Sequence, residues 1–153
     1  MFNRRSLILL LLWLGASAPL EASSAKIIKV LPHFLDNEGR HSLSPSLYER
    51  DAYQALLRNN PSRRSGLRFD IQWKAKQSKA PHVILRIELR GSKAPLDKAL
   101  VLEQIVKPKR LFSSWSALTL SEEVYEKLGD LSAWRTTLWD GDQLLAELKS
   151  FLW

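Results

Sequence analysis

The stretch "GLRFDIQWKAK" changes side-chain character at every step. Leu67, Phe69, Ile71, Trp73 and Ala75 alternate with Arg68, Asp70, Gln72 and Lys74. Successive side chains of a strand point to opposite faces, so a period of two gathers all five apolar groups on one side. "HVILRIELRG" repeats the pattern, with Val83, Leu85, Ile87 and Leu89 inward. A helix built from either stretch would scatter its apolar groups all round. The polar second face also argues against a parallel sheet, whose strands are buried on both sides. The connecting "KQSKAP" is polar, which predicts an antiparallel hairpin of these two strands.

The other segments follow from the same reasoning. "KIIKVLPHF" predicts a first strand from Ile27 to Phe34, at a sheet edge because Pro32 has no N–H for a ladder. "LDNEGRHS" is a loop with Asn37 and Gly39 as turn residues. "SLSPSLYERDAYQALLRNNP" shifts to helical spacing. Ser44 is the expected N-cap, Pro45 the first helical residue, and Tyr48, Ala52, Ala55 and Leu56 the apolar stripe. "KALVLEQIVKP" predicts a strand whose phase slips: Leu100 and Leu102 share one parity and Ile105 has the other, which calls for a bulge or burial on both faces. "LFSSWSALTL" is a further strand with a Ser-rich middle, and it leaves Trp115 unassigned to either face. Ser121, Glu122, Glu123 and Gly129 mark a short helix over Glu122–Leu128.

The chain closes with "WRTTLWDGDQLLAELKSFLW", two strands around the turn signal Asp140-Gly141. Trp134, Thr136 and Leu138 share one face; Leu144, Ala146, Leu148 and Leu152 share one face of the partner. Even residues must therefore oppose even ones. A two-residue loop of Asp140-Gly141 sets even against odd and moves a whole apolar set off the core side. A three-residue loop with Gly141 left-handed restores the match, placing Leu138 opposite Asp142, Thr136 opposite Leu144 and Trp134 opposite Ala146. Arg135 then lies diagonal to Glu147, within reach of an ion pair worth at most about 1 kcal/mol.

Seven half-buried strands, one helix between strands 1 and 2 and a short helix between strands 5 and 6 predict a mainly β chain. The expected architecture is a seven-stranded antiparallel β-sandwich. It resembles immunoglobulin-like and fibronectin-III-like domains in layout, without the cysteine pair of true immunoglobulin domains, since the chain has no Cys.

At the other end, "MFNRRSLILLLLWLGASAPLEASSAK" has Arg4 and Arg5 before an unbroken apolar run from Leu7 to Leu14, then small residues suited to cleavage after Ala22 or Ala25. This predicts a signal peptide over residues 1–25 and a single domain over 26–153, periplasmic or secreted. The apolar run is shorter than the roughly 20 residues of a membrane span. No second run replaces it, so no span is expected after cleavage. The chain carries +7, and its first 25 residues hold Arg4, Arg5 and Glu21, leaving +6. In an exported protein that excess suits solubility or anionic envelope surfaces rather than nucleic acid.

Signs of chemistry are sparse. There is no Cys nucleophile, and G-x-S-x-G, P-loop and G-x-G-x-x-G patterns are missing from the sequence. Only "HFLDNEGRH" gathers metal-ligand types, His33, Asp36, Glu38 and His41, at a spacing that matches no established motif. Arg58, Arg63, Arg64 and Arg68 form a basic run expected to be solvated surface. Trp73 and Trp134 fall on core faces by parity. Trp139, Phe151 and Trp153 fall outside the core set and are the candidate contacts for a ligand or partner. An outer-membrane barrel strand is excluded because Lys149 and Glu147 break the lipid-facing alternation behind Phe151. The expectation is a non-enzymatic interaction or structural module of the bacterial cell envelope, without a cofactor, whose partner is an unknown protein or an envelope polymer. A carbohydrate-binding module is the first alternative. A metal-stabilised protein using His33 and His41, or a periplasmic assembly factor lending a strand edge, is the second.

Overall fold

The structure, a computed structural model, describes residues 25–76, 81–93, 95, 98–109 and 111–153. The expected leader lies outside these residues, apart from Ala25. Along the chain run β1 (Ala25–Asp36), α1 (Leu47–Asn59), a short 3-10 turn (Pro61–Arg63), β2 (Arg64–Ala75), β3 (Val83–Gly91), β4 (Leu100–Val106), β5 (Ser114–Leu120), α2 (Glu122–Leu128), β6 (Leu131–Asp140) and β7 (Gln143–Lys149). The fold is mainly β. Three strands form one antiparallel sheet in the order β1-β2-β5, and four form a second in the order β4-β3-β6-β7.

Alternation does the work anticipated for β2 and β3. Phe69, Ile71 and Trp73 on β2 and Leu85, Ile87 and Leu89 on β3 are all buried, with their polar neighbours half-exposed. Burying each such side chain stabilises the fold by about 1.5–3 kcal/mol. The two strands do not form the expected hairpin, however. They belong to different sheets, and their apolar faces contribute to one cluster between the layers. A parity pattern says which side of a strand is buried but not whether its neighbour in sequence lies beside it or across the core. Trp73 is 1% exposed and donates its indole N–H to Ser116 Oγ at 3.0 Å. The Ser-rich middle of β5 thus faces the core, because one serine satisfies a buried tryptophan.

Other expectations need correction. α1 begins at Leu47 with Ser46 as N-cap, two residues later than Ser44. Its buried face is Tyr53, Gln54 and Leu57, while Tyr48, Ala52, Ala55 and Leu56 are exposed. The helix is oriented by hydrogen bonds from Tyr53 and Gln54 rather than by an apolar stripe. β4 has neither a bulge nor two buried faces. Leu100 and Leu102 pack against the core, and Ile105 is 72% exposed.

The β6–β7 loop is even, not odd. Asp140 pairs with Gln143 across a two-residue turn of Gly141 and Asp142, with Gly141 at φ 56°. Parity is repaired instead by a bulge at Leu145, after which Leu138 opposes Ala146 and Thr136 opposes Leu148. At a bulge two consecutive residues turn toward one side. Accordingly Leu145 and Ala146 both pack on the core, and Leu144 is left outside, 46% exposed. Even does oppose even along the body of the hairpin, four residues further along β7 than expected. Trp134 is half-buried against the core.

α2 is pressed onto the end of β3. Lys93 N–H donates to Leu128 O and Ser92 N–H to Asp130 O, at 3.1 and 2.9 Å. Gly91 permits this approach: a Cβ there would collide with the Leu128 carbonyl. Gly91→Ala should therefore lower unfolding free energy by about 3 kcal/mol, the upper range for overpacking. Thr136 is fully buried on β6, and its hydroxyl has no hydrogen-bond partner among the described residues. Thr136→Val keeps the shape and removes the unpaired group, so it should raise stability by about 1 kcal/mol. Urea unfolding of both variants checks the pair of signs.

Candidate functional site

The four metal-ligand candidates come apart in the structure. His33 lies on β1, 8% exposed, with Nδ1 at 3.0 Å from Asp70 Oδ2 on β2. Its ring lies against that of His41, tilted by 36° with 5.4 Å between centroids. Asp36 is 5% exposed and already surrounded by donors. Tyr53 Oη donates to it at 2.6 Å, Arg40 Nε at 2.9 Å, and the Glu38 and Arg40 backbone N–H groups at 2.9 and 2.8 Å. Glu38 pairs with Arg40. Among the described residues no group of three His, Asp or Glu side chains is placed to hold a metal ion.

The Asp36 centre instead ties the loop to the helix. Burial opposes ionisation of Asp36, but the Tyr53 hydroxyl and the backbone and guanidinium of Arg40 outweigh it and hold the carboxyl below its ordinary 3.8. The same bond raises the Tyr53 hydroxyl above its ordinary 10.0, helped by burial and the Asp36 charge. Next to Tyr53, the Gln54 amide accepts from Phe34 N–H at 2.8 Å and donates to Phe34 O and His41 O at 2.9 and 2.8 Å. Sequence reasoning missed Tyr53 and Gln54. The available signal was Tyr53 and Leu57 at i, i+4, which defines a buried face more than a third of a turn from the stripe chosen.

The basic run also divides. Arg64 is not solvated: its side chain is 5% exposed. It lies over the Phe34 ring at 4.2 Å, bonds the Leu57 and Arg58 carbonyls at the end of α1, and reaches Asp130 Oδ1 at 3.2 Å. Arg68 is held by Asp70 at 2.7 Å. Arg58 and Arg63 are exposed.

Trp139 and Trp153 lie on the outer face of the four-stranded sheet. Trp139 is half-buried, donates its indole N–H to Thr137 Oγ1 at 2.8 Å, and has the Arg86 guanidinium 5.4 Å from its ring centre. Trp153 is half-buried and covers Arg90 at 4.2 Å and Arg135 at 5.3 Å. Phe151 is fully exposed. Trp115 is 54% exposed, on the outer face of the other sheet.

Strand register arranges this outer face in rows. The first row is apolar across all four strands: Ile105, Ile84, Trp139 and Leu144. The second is Glu103, Arg86, Thr137 and Glu147, and the third is Val101, Glu88, Arg135 and Lys149. The fourth holds Arg90 beside Ala133, under Trp153. Within the rows, Arg86 Nε bonds Glu103 at 2.5 Å, Arg135 bonds Glu88, and Arg135 lies 3.8 Å from Glu147, the diagonal pair expected from parity. The Glu88 hydrogen bond, then the Glu88 and Glu147 charges, raise the Arg135 pKa against the opposing effect of burial. No protein-family model, no curated protein and no solved structure matches the chain.

Two pH windows follow from the loop region. Burial, with the charges of Arg68 and His33, holds His41 below its ordinary 6.5 despite the opposing charge of Asp70. The unfolded chain then binds the His41 proton more readily, so stability falls as pH drops below 6.5 toward the folded value. Asp36 acts lower: its stabilisation is complete above 3.8 and is lost as pH falls through its depressed folded value. Tyr53→Phe should cost about 1.5–3 kcal/mol near neutral pH, as for a hydrogen bond to a charged group, and much less once Asp36 is protonated. His41→Asn should flatten only the upper window. Chemical denaturation repeated across pH 3–8 reads both effects.

Proposed function

We infer that this protein is an exported, non-enzymatic interaction module of the bacterial cell envelope, folded as an immunoglobulin-like or fibronectin-III-like sandwich. The strand orders β1-β2-β5 and β4-β3-β6-β7 support the fold reading. Lettered A, B, C, C′, E, F and G along the chain, they give an ABE sheet against a C′CFG sheet, close to the immunoglobulin layout. The leader, with its basic start and apolar run, supports export.

The observation that carries the interaction reading is the first row of the outer face. Ile105, Ile84, Trp139 and Leu144 form an apolar band across four strands, bordered on one side by two charged rows. Ile105 and Leu144 are 72% and 46% exposed. An apolar band bordered by charge is the usual anatomy of a contact surface. By contrast, the polar groups of the His33–His41 loop are engaged in holding β1, α1 and the loop together.

Export predicts that the protein is recovered from the periplasm or medium with a new N-terminus after Ala22 or Ala25. Photo-crosslinking residues placed at Ile105 and Leu144 should capture a discrete product in intact cells, while the same groups at Ala117 and Thr119 on the other sheet should not. Cytosolic, unprocessed protein would remove the export reading; equal capture from both sheets would remove the contact face. One observation favours a second reading. Trp115 stands exposed beside Gln72, as a sugar-stacking ring would. Envelope glycans should then quench tryptophan emission, and Trp115→Ala should abolish the quenching.

A further inference from the structure

We propose that the partner of the four-stranded sheet's outer face is a second copy of this chain, docked face to face about a two-fold axis that runs across the strands between the second and third rows. The proposal rests on the contact-face reading above and adds the identity of the occupant. Its basis is charge complementarity within the face itself.

In a two-fold contact each residue i that meets j is matched by j meeting i. An axis between the second and third rows sets each strand against its own copy and exchanges those rows. Arg86 then faces Glu88 of the other copy, and Glu147 faces Lys149. Each pair occurs twice, giving four opposite-charge pairings, two of them at Glu88, whose side chain is 14% exposed beside Arg135. Glu103 faces Val101 and Thr137 faces Arg135, so no like charges meet. The apolar first row comes over the fourth, where Trp153 lies across Arg90 and Arg135 and Phe151 is fully exposed beyond Lys149.

Other registers are penalised. An axis through the second row sets Arg86 against Arg86 and Glu147 against Glu147. An axis through the third sets Glu88, Arg135 and Lys149 each against itself. An axis along the strands lays the apolar row on its own copy and sets Glu88 against Arg135 twice, but it also sets Glu103 against Glu147 twice, so its like-charge and opposite-charge pairings cancel, whereas the proposed axis has only opposite-charge pairings. Like charges brought together at a contact cost several kcal/mol and suppress the wrong arrangement.

The geometry tolerates the natural twist. Rows are about 7 Å apart, two residues along a strand. Face-packed sheets cross at about 30°. That angle leaves the central strands β3 and β6 aligned and moves the edge strand β7 by a few Å, within reach of the long Glu147 and Lys149 side chains. Glu147 is about one-third exposed, and its bond to Arg135, at 3.8 Å, is the longest ion pair on this face. A second partner for it is therefore sterically open.

The decisive experiment is sedimentation equilibrium on the purified protein over a wide concentration range. The wild type should form a dimer that dissociates on dilution. Glu147→Lys alone and Lys149→Glu alone should each weaken it about tenfold or more, since each doubles a like-charge contact through the symmetry. The double variant, with the charges exchanged, should return to near the wild-type constant. Thermal melts at dilutions where the wild type is dissociated should be little changed in all three, because both side chains lie at the surface of an edge strand. A chain that stays monomeric at every concentration overturns the proposal. If crosslinks from Ile105 and Leu144 then give a product other than twice the chain mass, the contact-face reading stands without it. A Glu147→Lys variant that binds tighter overturns the register in favour of the axis along the strands.

Discussion

The buried cluster shared by the apolar faces of the two sheets, to which β2 and β3 contribute most, is the constraint on which the other elements depend. Phe69, Ile71 and Trp73 come from one sheet, and Leu85, Ile87 and Leu89 from the other. All six are at most 1% exposed. Each sheet is built outward from its member of this pair: β1 and β5 flank β2, and β4 and β6 flank β3. The flanking strands then contribute smaller portions of the same cluster, such as Val30, Leu118, Leu120 and Leu138.

The polar groups are distributed by the same constraint. Those on inward faces are few: Trp73 pairs with Ser116, while the Ser114 and Thr136 hydroxyls have no partner among the described residues. Those on outward faces form lateral ion pairs along the rows, which individually contribute little but fix where each charge sits. A face with a fixed mosaic of charge differs from one whose lysines and glutamates move freely. Ordered side chains have already lost rotamer freedom before any partner arrives, which lowers the entropic cost of association.

Much of the β framework was legible in the residues. Strict alternation located β2 and β3 and their buried faces, Pro32 placed β1 at an edge, and the signals at Ser121 and Gly129 bounded α2 to the residue. What alternation does not encode is partnership. It has the same form whether β3 pairs with β2 or belongs to the other sheet, which is why the expected hairpin became a crossover between sheets. Parity along β6 and β7 demanded an offset, but an offset is supplied equally by an odd loop or by a bulge, and the bulge at Leu145 supplies it here. The candidate site was legible in part. Trp139, Phe151 and Trp153 do lie outside the core, but the rows around Trp139 depend on strand order, which no single segment carries. Arg64 read as a surface charge and Asp36 as a metal-ligand candidate because their partners, Phe34, Asp130 and Tyr53, are distant in sequence.

The Gln54 amide has a consequence for what this chain avoids. It accepts from the N–H of Phe34 and donates to its carbonyl, as a neighbouring strand would. Strand β1 borders its sheet, and exposed borders recruit further strands from other molecules. While α1 is folded, a single side chain stands in for that recruit and leaves no free main-chain pair at Phe34. Loss of the helix would therefore do more than loosen a loop. It would unmask a templating border, turning a local unfolding event into a seed for ordered aggregation.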